Sequence, residues 1–315
     1  MLVKNKIKPS YTPLVSVCLI TYNHESFISE AIEGVLNQEI SFEIEIIIGE
    51  DCSTDQTRAI CEQYQQKYPG VITLLQKSKN LGMVGNFSQT LRACRGKYIA
   101  ICEGDDYWTN QNKLSLQIQV LESKPQYSGC IHYGDIVDSE GNFKKKSKKP
   151  QVNFRNERHL IHALEEGKSS WVTCSLIFRR ELIITNSFYI FLEEKKLNCD
   201  QVFDVWLTKH GPLIYLEENL SSHRHHQGGI WSSKDNNSID SLEYLLKGKI
   251  FLLSQKGFNL EEKKIINLHV IKLSDKLLKK IIENKIFTSK IFFICFKIQF
   301  MNKIKEFLHL LKKAK

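Results

Sequence analysis

Several features that would fix the class of this 315-residue chain at once are missing from it. Its nine cysteines include no close CxxC pair, which argues against a disulfide framework and against a structural zinc site. The first ten residues, Met1 to Ser10, hold no apolar stretch of the kind a secretory signal needs, so a reduced, cytosolic setting is the expectation. No GxxxxGK[ST] phosphate loop, internal repeat or low-complexity segment appears. The most apolar stretch, residues 286–300, is interrupted by Lys290 and Lys297 and is too short for a clean membrane span. Arginine is absent from Asp240 to Lys315, where 17 lysines face 7 acidic residues. That tail therefore carries +10, against −1 for the first 239 residues. Without arginine or interleaved polar base-readers, it does not read as a nucleic-acid surface.

What is present is ordinary in bulk: 42% hydrophobic and 25% charged residues, enough chain for one large core or one core with an appendage. The order of elements is more telling. Residues 14–21 read as a buried strand, 26–37 as a helix with Phe27, Ile28, Ala31, Ile32, Val35 and Leu36 on one face, and 43–49 as a second strand. A helix at 55–68 stops at Pro69-Gly70; a strand at 71–75, a helix at 84–94 and a strand at 97–102 follow. This alternation predicts an α/β fold with a mostly parallel sheet covered on both faces. Further on, the pattern predicts a helix at 111–123, a strand at 129–137, a solvated lysine-rich loop at 144–149 and a helix at 156–166. A strand at 171–178, a helix holding Asp200 to Lys209 and a strand at 212–216 complete the domain, taken as 1–238. Residues 239–315 read as a basic, amphipathic helical tail.

Glu103-Gly104-Asp105-Asp106 directly follows the strand at 97–102. In α/β proteins ligands bind where strands leave the sheet. Carboxylates this close repel unless a cation sits among them, and hard oxygen donors favour Mg²⁺ or Mn²⁺. An acidic surface turn is the plain alternative. Thr21-Tyr22-Asn23 ends the first strand, where backbone N–H groups can face a nucleotide or simply form a turn. Glu50-Asp51 ends the second strand; Ser53, Thr54 or Asp55 can cap the next helix, which leaves Asp51 at the lip of the crevice.

In order and spacing, four segments resemble the family 2 glycosyltransferases, which have the GT-A fold. They are Val15 to His24, Ile48 to Thr57, Asn80-Leu81-Gly82 and Gly96 to Trp108. The likeness covers roughly residues 14–232. It implies that Thr21, Tyr22, Asn23, Glu50, Asp51, Asn80, Asp105 and Arg224 surround a nucleotide-sugar donor, with Asp51 on the base. It implies further that Asp106 ligates a Mn²⁺ or Mg²⁺ ion near Asp105, Glu103 and His226. Glu103 departs from the more usual Asp. Asp200 aligns with the family's general base at a helix start, with Asp204 one turn later as a competitor that a solvent-facing position would explain. Arg224 and His226, in His223 to Trp231, match a segment that approaches the diphosphate and metal. A zinc site or an inert histidine cluster are the other readings. Gly228-Gly229 would let that loop hinge over a donor, and Ser169 to Ser175 is a candidate acceptor wall.

The resemblance implies an inverting, metal-dependent glycosyltransferase that moves a sugar from a nucleotide sugar to a glycan or lipid-linked acceptor in cell-surface polysaccharide synthesis. UDP is the leading nucleotide. The expected setting is cytoplasmic and peripheral to the inner face of the cell membrane. In the tail, Ile266, Val270, Leu273, Leu277 and Ile281 repeat at helical spacing and suit either an anionic membrane surface or packing on protein. A nucleotidyltransferase and a non-catalytic donor-binding relative are the alternatives.

Overall fold

The computed structural model describes residues 12–147, 157–160, 163–164, 171–194, 197–229, 238–255, 257–284, 291 and 293–302. Strand β1 (Val15–Thr21) and strand β2 (Ile44–Glu50) are buried along their whole length. Strands buried at every position are covered on both faces, as parallel sheets require. Between them lies helix α1 (Ile28–Leu36), whose inner face is Ile28, Ala31, Ile32, Val35 and Leu36. Helix α2 (Thr57–Lys67), strand β3 (Ile72–Leu74), helix α3 (Gly82–Ala93) and strand β4 (Tyr98–Glu103) continue the alternation. β1 pairs in parallel with both β2 and β4, in a register that aligns Thr21 with Glu50 and Ile20 with Glu103. The carboxyl ends of the three strands thus stop at one edge. Because β2 and β3 lie on one side of β1 and β4 on the other, that edge is a switch point of the chain, where a crevice opens.

The chain continues through strand β5 (Tyr107–Trp108), helix α4 (Lys113–Ser123), and strands β6 (Gly129–Val137), β7 (Phe143–Lys146), β8 (Glu157–Arg158) and β9 (Ile177–Arg179). Helices α5 (Asn186–Glu193) and α6 (Cys199–His210) and strand β10 (Leu213–Arg224) follow. The main sheet order is β3-β2-β1-β4-β9-β6-β10-β5, with β9 antiparallel to both its neighbours. The architecture is α/β, a mostly parallel sheet flanked by helices.

The structure differs from the reading of the sequence in several segments, among them β5 and α5, where no element was expected. Lys144–Lys146 is not loop: Phe143, Lys145 and Lys146 of the exposed strand β7 pair with β6, with a register irregularity at Lys144, and lysine suits such an edge. Residues 148–149 lie outside the described part. Of the predicted helix at 156–166, residues 160, 163 and 164 are helical and 156, 161–162 and 165–166 lie outside the described part, but Glu157–Arg158 pairs with β10 as a strand. The segment 171–178 splits into a 3₁₀ turn at Thr173–Ser175 and then β9. β10 runs on to Arg224 because register shifts around Asn219 let the strand pass the exposed Glu217 and Glu218 and continue.

The described chain divides into two compact units, the first holding the sheet and α1–α6. The second holds helix α7 (Ile239–Ser254), helix α8 (Leu260–Glu283) and the helical residues 293–302. Asn259 and Glu262 form a reciprocal cap at the start of α8. The apolar stripe of α8 is spent internally: Ile266, Val270, Leu277 and Ile281 are buried, the last three in a core with Leu242, Leu246, Ile291 and Cys295. It is therefore not a free face for a membrane. Phe293, Phe296 and Phe300 do remain exposed. Ile286, Phe287, Lys290 and Phe292 lie outside the described residues. No helix among the described residues is long and apolar enough to cross a membrane.

Candidate active site at the carboxyl edge of the sheet

The turn after β1 is stitched to the turn after β2. Asn23 takes a positive φ of 55°, which its short polar side chain tolerates. Its N–H donates to Ser53 Oγ at 2.9 Å, and its Oδ1 accepts from Thr54 N at 2.8 Å. His24 N donates to Thr57 Oγ1 at 2.8 Å, and Glu25 N to Asp55 Oδ2 at 3.1 Å. The N–H groups of Asn23 and His24 are thus engaged within the protein, while the ring of Tyr22 is exposed at the lip. Glu50 is buried, accepts from Ser53 N, and pairs with Arg58 at 3.1 Å, a structural placement rather than an open one. Asp51 is also buried: its Oδ1 accepts from Leu81 N at 2.9 Å and lies 3.8 Å from Lys77 Nζ. Asn80 Nδ2 donates to the Asp51 carbonyl at 2.9 Å, fixing the Asn80-Leu81-Gly82 turn over it.

The acidic turn after β4 separates the roles of its carboxylates. Asp106 is 1% exposed; both its oxygens lie 3.0 Å from His223 Nδ1, and Oδ1 accepts from Arg224 N at 2.9 Å. Asp106 therefore anchors the end of β10 instead of opening toward the crevice. Arg224 is 4% exposed, with its guanidinium on the Asp105 and Ser139 carbonyls and on Glu30, between the rings of Phe27 and Tyr107. These contacts make it a residue that holds the acidic turn against β10 and α1.

Asp105 is the carboxylate that gathers donors. Its Oδ2 lies 3.1 Å from His226 Nε2 and 3.8 Å from His24 Nε2, and one ligand atom from each of the three residues falls within 4.8 Å of the others. This set fits a divalent cation and joins the carboxyl ends of β1, β4 and β10; Glu103 and Asp106 are not part of it. Sequence reasoning gave His24 no role, although it directly follows Thr21-Tyr22-Asn23. Gly104 is obligatory here: a Cβ would stand 2.4 Å from Thr21 Oγ1 and 3.1 Å from His24 Nδ1.

The electrostatics follow from this crowding. Burial drives the Glu103 carboxyl well above its ordinary range, helped by repulsion from Asp106, Asp105 and Asp200. Burial also pushes Asp105 upward, but the His226 hydrogen bond and the neighbouring imidazoles outweigh it, and its pKa falls. Burial lowers His24 against the pull of Asp105. Burial opposes a charge on His223, yet Asp106 raises its pKa to about 9.

Asp200 sits in the first turn of α6, half-buried, near enough for its charge to raise both Glu103 and His223. Asp204 is 2% exposed, so the solvent-facing position expected for it does not hold. Gly229 N closes a turn onto the His226 carbonyl at 3.0 Å. Trp231, Ser169 and Ser170 lie outside the described residues, and Trp171 and Ser175 are buried.

Comparison with known structures places this architecture in the GT-A class. Staphylococcus aureus TarS 1–349, solved in complex with UDP-GlcNAc, superposes with a TM-score of 0.64 at 20% identity, covering 84% of this chain and 72% of that one. The mannosyltransferase PcManGT of Pyrobaculum calidifontis, solved with GDP-Man and Mn²⁺, gives 0.56 at 15% identity, covering 94% and 86%. Residues 16–185 match the model for glycosyl transferase family 2, and the chain belongs to that family. An uncharacterised Mycobacterium tuberculosis protein is 32% identical over 219 residues, 70% of this chain and 61% of that protein. The chain thus spans about three fifths of that relative's length. The uncharacterised glycosyltransferase EpsJ of Bacillus subtilis is 25% identical over 262 residues, 82% and 75% of the two chains.

Proposed function

We propose that the chain is an inverting, metal-dependent glycosyltransferase that moves a sugar from a nucleotide sugar, UDP-linked in the first instance, to a hydroxyl of a glycan or lipid-linked acceptor. The observation that carries this reading is the Asp105–His226 pair at the carboxyl edge of the sheet of a family 2 chain, with Asp200 near enough for its charge to act on Glu103. UDP-GlcNAc bound to TarS and GDP-Man with Mn²⁺ bound to PcManGT support a nucleotide-sugar donor.

Asp51, held by Leu81 N and covered by Asn80, takes the base, with Tyr22 exposed beside it. Asp105 and His226 would hold a Mn²⁺ or Mg²⁺ ion, which would supply charge neutralisation to a departing nucleoside diphosphate. Asp106 keeps the end of β10 against the acidic turn, and so presents His226. Asp200 accepts the proton of the acceptor hydroxyl; its place in the first turn of α6 favours the ionised carboxylate this task needs. One displacement from the face opposite the leaving group inverts the anomeric centre.

Surface-polysaccharide synthesis at the inner membrane face is the setting proposed. The exposed Phe293, Phe296 and Phe300 beside Lys297, in a lysine-rich tail, support peripheral contact with an anionic bilayer.

The test is turnover with a panel of nucleotide sugars, with the anomer of the product read by NMR. Asp200→Asn should lower turnover about 10²–10⁴-fold while nucleotide binding persists. Release of pyrophosphate instead of nucleoside diphosphate, or retained activity in Asp200→Asn, contradicts the proposal.

A further inference from the structure

His24 has an unusual position for a residue in a strand-to-helix turn. Its ring is half-buried against Phe27 and meets His226 edge-on at 5.8 Å between centroids. Both Nε2 atoms are directed at the same oxygen, Asp105 Oδ2, at 3.8 and 3.1 Å. Two donors sharing an ion at about 2.1 Å lie about 3.0 Å apart at right angles and about 4.2 Å apart when opposite; the His226 separation matches the first and the His24 separation falls between the two.

A second feature is independent of the first. His24 Nδ1 lies 3.3 Å from Thr21 Oγ1, on the other side of the ring. A ligating imidazole characteristically donates its second N–H to a fixed partner, which leaves the lone pair on the first nitrogen aimed at the metal. Gly104 has no Cβ where one would clash with Thr21 and press on His24, so the acidic turn itself makes room for this arrangement.

We infer that His24 is a third protein ligand of the cation, and that the resulting two-imidazole, one-carboxylate set makes the site prefer Mn²⁺ and similar transition ions over Mg²⁺. The inference rests on the cation reading of the proposed function and extends it to ligand count and metal choice. Mg²⁺ favours carboxylate, carbonyl and water oxygens, whereas imidazole nitrogen suits first-row transition ions. Three protein ligands also leave coordination positions open for diphosphate oxygens on an ion that takes six.

The experiment uses the full chain and Mn²⁺ alone as the probe, with free Mn²⁺ measured by EPR and Mg²⁺ as competitor. In the wild type, pulsed EPR of bound Mn²⁺ should show coupling to the nitrogens of two imidazoles. His24→Ala should leave one, weaken Mn²⁺ about 10–100-fold and barely affect Mg²⁺; Thr21→Val, which keeps the ring but removes its partner, should cost about 10-fold. Coupling to a single imidazole in the wild type overturns the inference even if the variants fold poorly. Unchanged Mn²⁺ affinity in His24→Ala, with binding lost in Asp105→Ala, overturns it while leaving the cation site intact. Unchanged affinity in both variants removes the cation reading as well.

Discussion

The His223–Asp106 pair gives a stability prediction with a definite sign. His223 Nδ1 stands 3.0 Å from both oxygens of a carboxylate that is 1% exposed, and Asp106 lifts its pKa from 6.5 to about 9. The folded chain thus holds this proton more tightly than the unfolded chain does. The stabilisation is complete below pH 6.5, falls as pH rises through about 9, and is gone above it. At about 1.4 kcal/mol per pH unit, the rise gives an upper figure of roughly 3 kcal/mol. The His223 side chain is 19% exposed, so some of this is screened and about 2 kcal/mol is expected. The perturbation is His223→Asn in metal-free protein with a chelator present. The assay is urea unfolding followed by tryptophan fluorescence, which reports on the first unit because Trp108, Trp171, Trp206 and Trp231 all precede residue 232. The difference between wild type and variant should be about 2 kcal/mol at pH 6 and close to zero by about pH 10. A difference that is flat with pH, or grows as pH rises, refutes the reasoning.

Lys113 should behave in the opposite sense. It is 0% exposed, with Nζ 2.8 Å from Gln117 Oε1 and 4.1 Å from the Trp108 ring centroid, and burial pushes its pKa down to about 8. Between about pH 8 and 10.5 the unfolded chain holds more protons, so this residue raises stability with pH by up to about 3 kcal/mol. Lys113→Met should abolish that slope in the same unfolding assay. Gly104→Ala places a methyl 2.4 Å from Thr21 Oγ1 and should cost about 1–3 kcal/mol and weaken Mn²⁺ binding together, read by unfolding and EPR. Replacing Phe293, Phe296 and Phe300 with serine should cut co-sedimentation with phosphatidylglycerol vesicles at least ~10-fold, with helicity by circular dichroism kept. Failure of the wild-type chain to sediment with those vesicles removes the membrane proposal.

The parallel half of the fold was legible because β1, β2 and β4 are short, mostly apolar and β-branched runs separated by helical periodicity. The second half was harder to read. β10 contains Glu217 and Glu218 in mid-strand, which look like an ending until the register shifts are seen. β7 is four exposed residues, three of them lysines, with no apolar face to reveal it.

At the site, the acidic turn and the strand-end carboxylates were visible as types, but not which oxygen faces which partner. Asp105 and Asp106 are adjacent and chemically identical in sequence. Only the end of β10 separates them, by giving Asp106 to His223 and the Arg224 N–H and leaving Asp105 to the other histidines. Arg224 and Glu50 looked available to a ligand because nothing local predicts Glu30, 194 residues away, or Arg58 as their partners. His24 was missed because its ligand-like placement depends on a contact with Asp105 across the sheet edge.

The most direct test of the account is a calorimetric titration of the full chain with UDP, with and without Mn²⁺, for wild type, Asp51→Ala and Asp105→Ala. A donor site at the carboxyl edge of β1, β2 and β4 requires UDP binding that Mn²⁺ strengthens. Asp105→Ala should remove the Mn²⁺ effect, and Asp51→Ala should weaken binding in either condition. Absence of UDP binding with and without Mn²⁺, or binding indifferent to both substitutions, contradicts it.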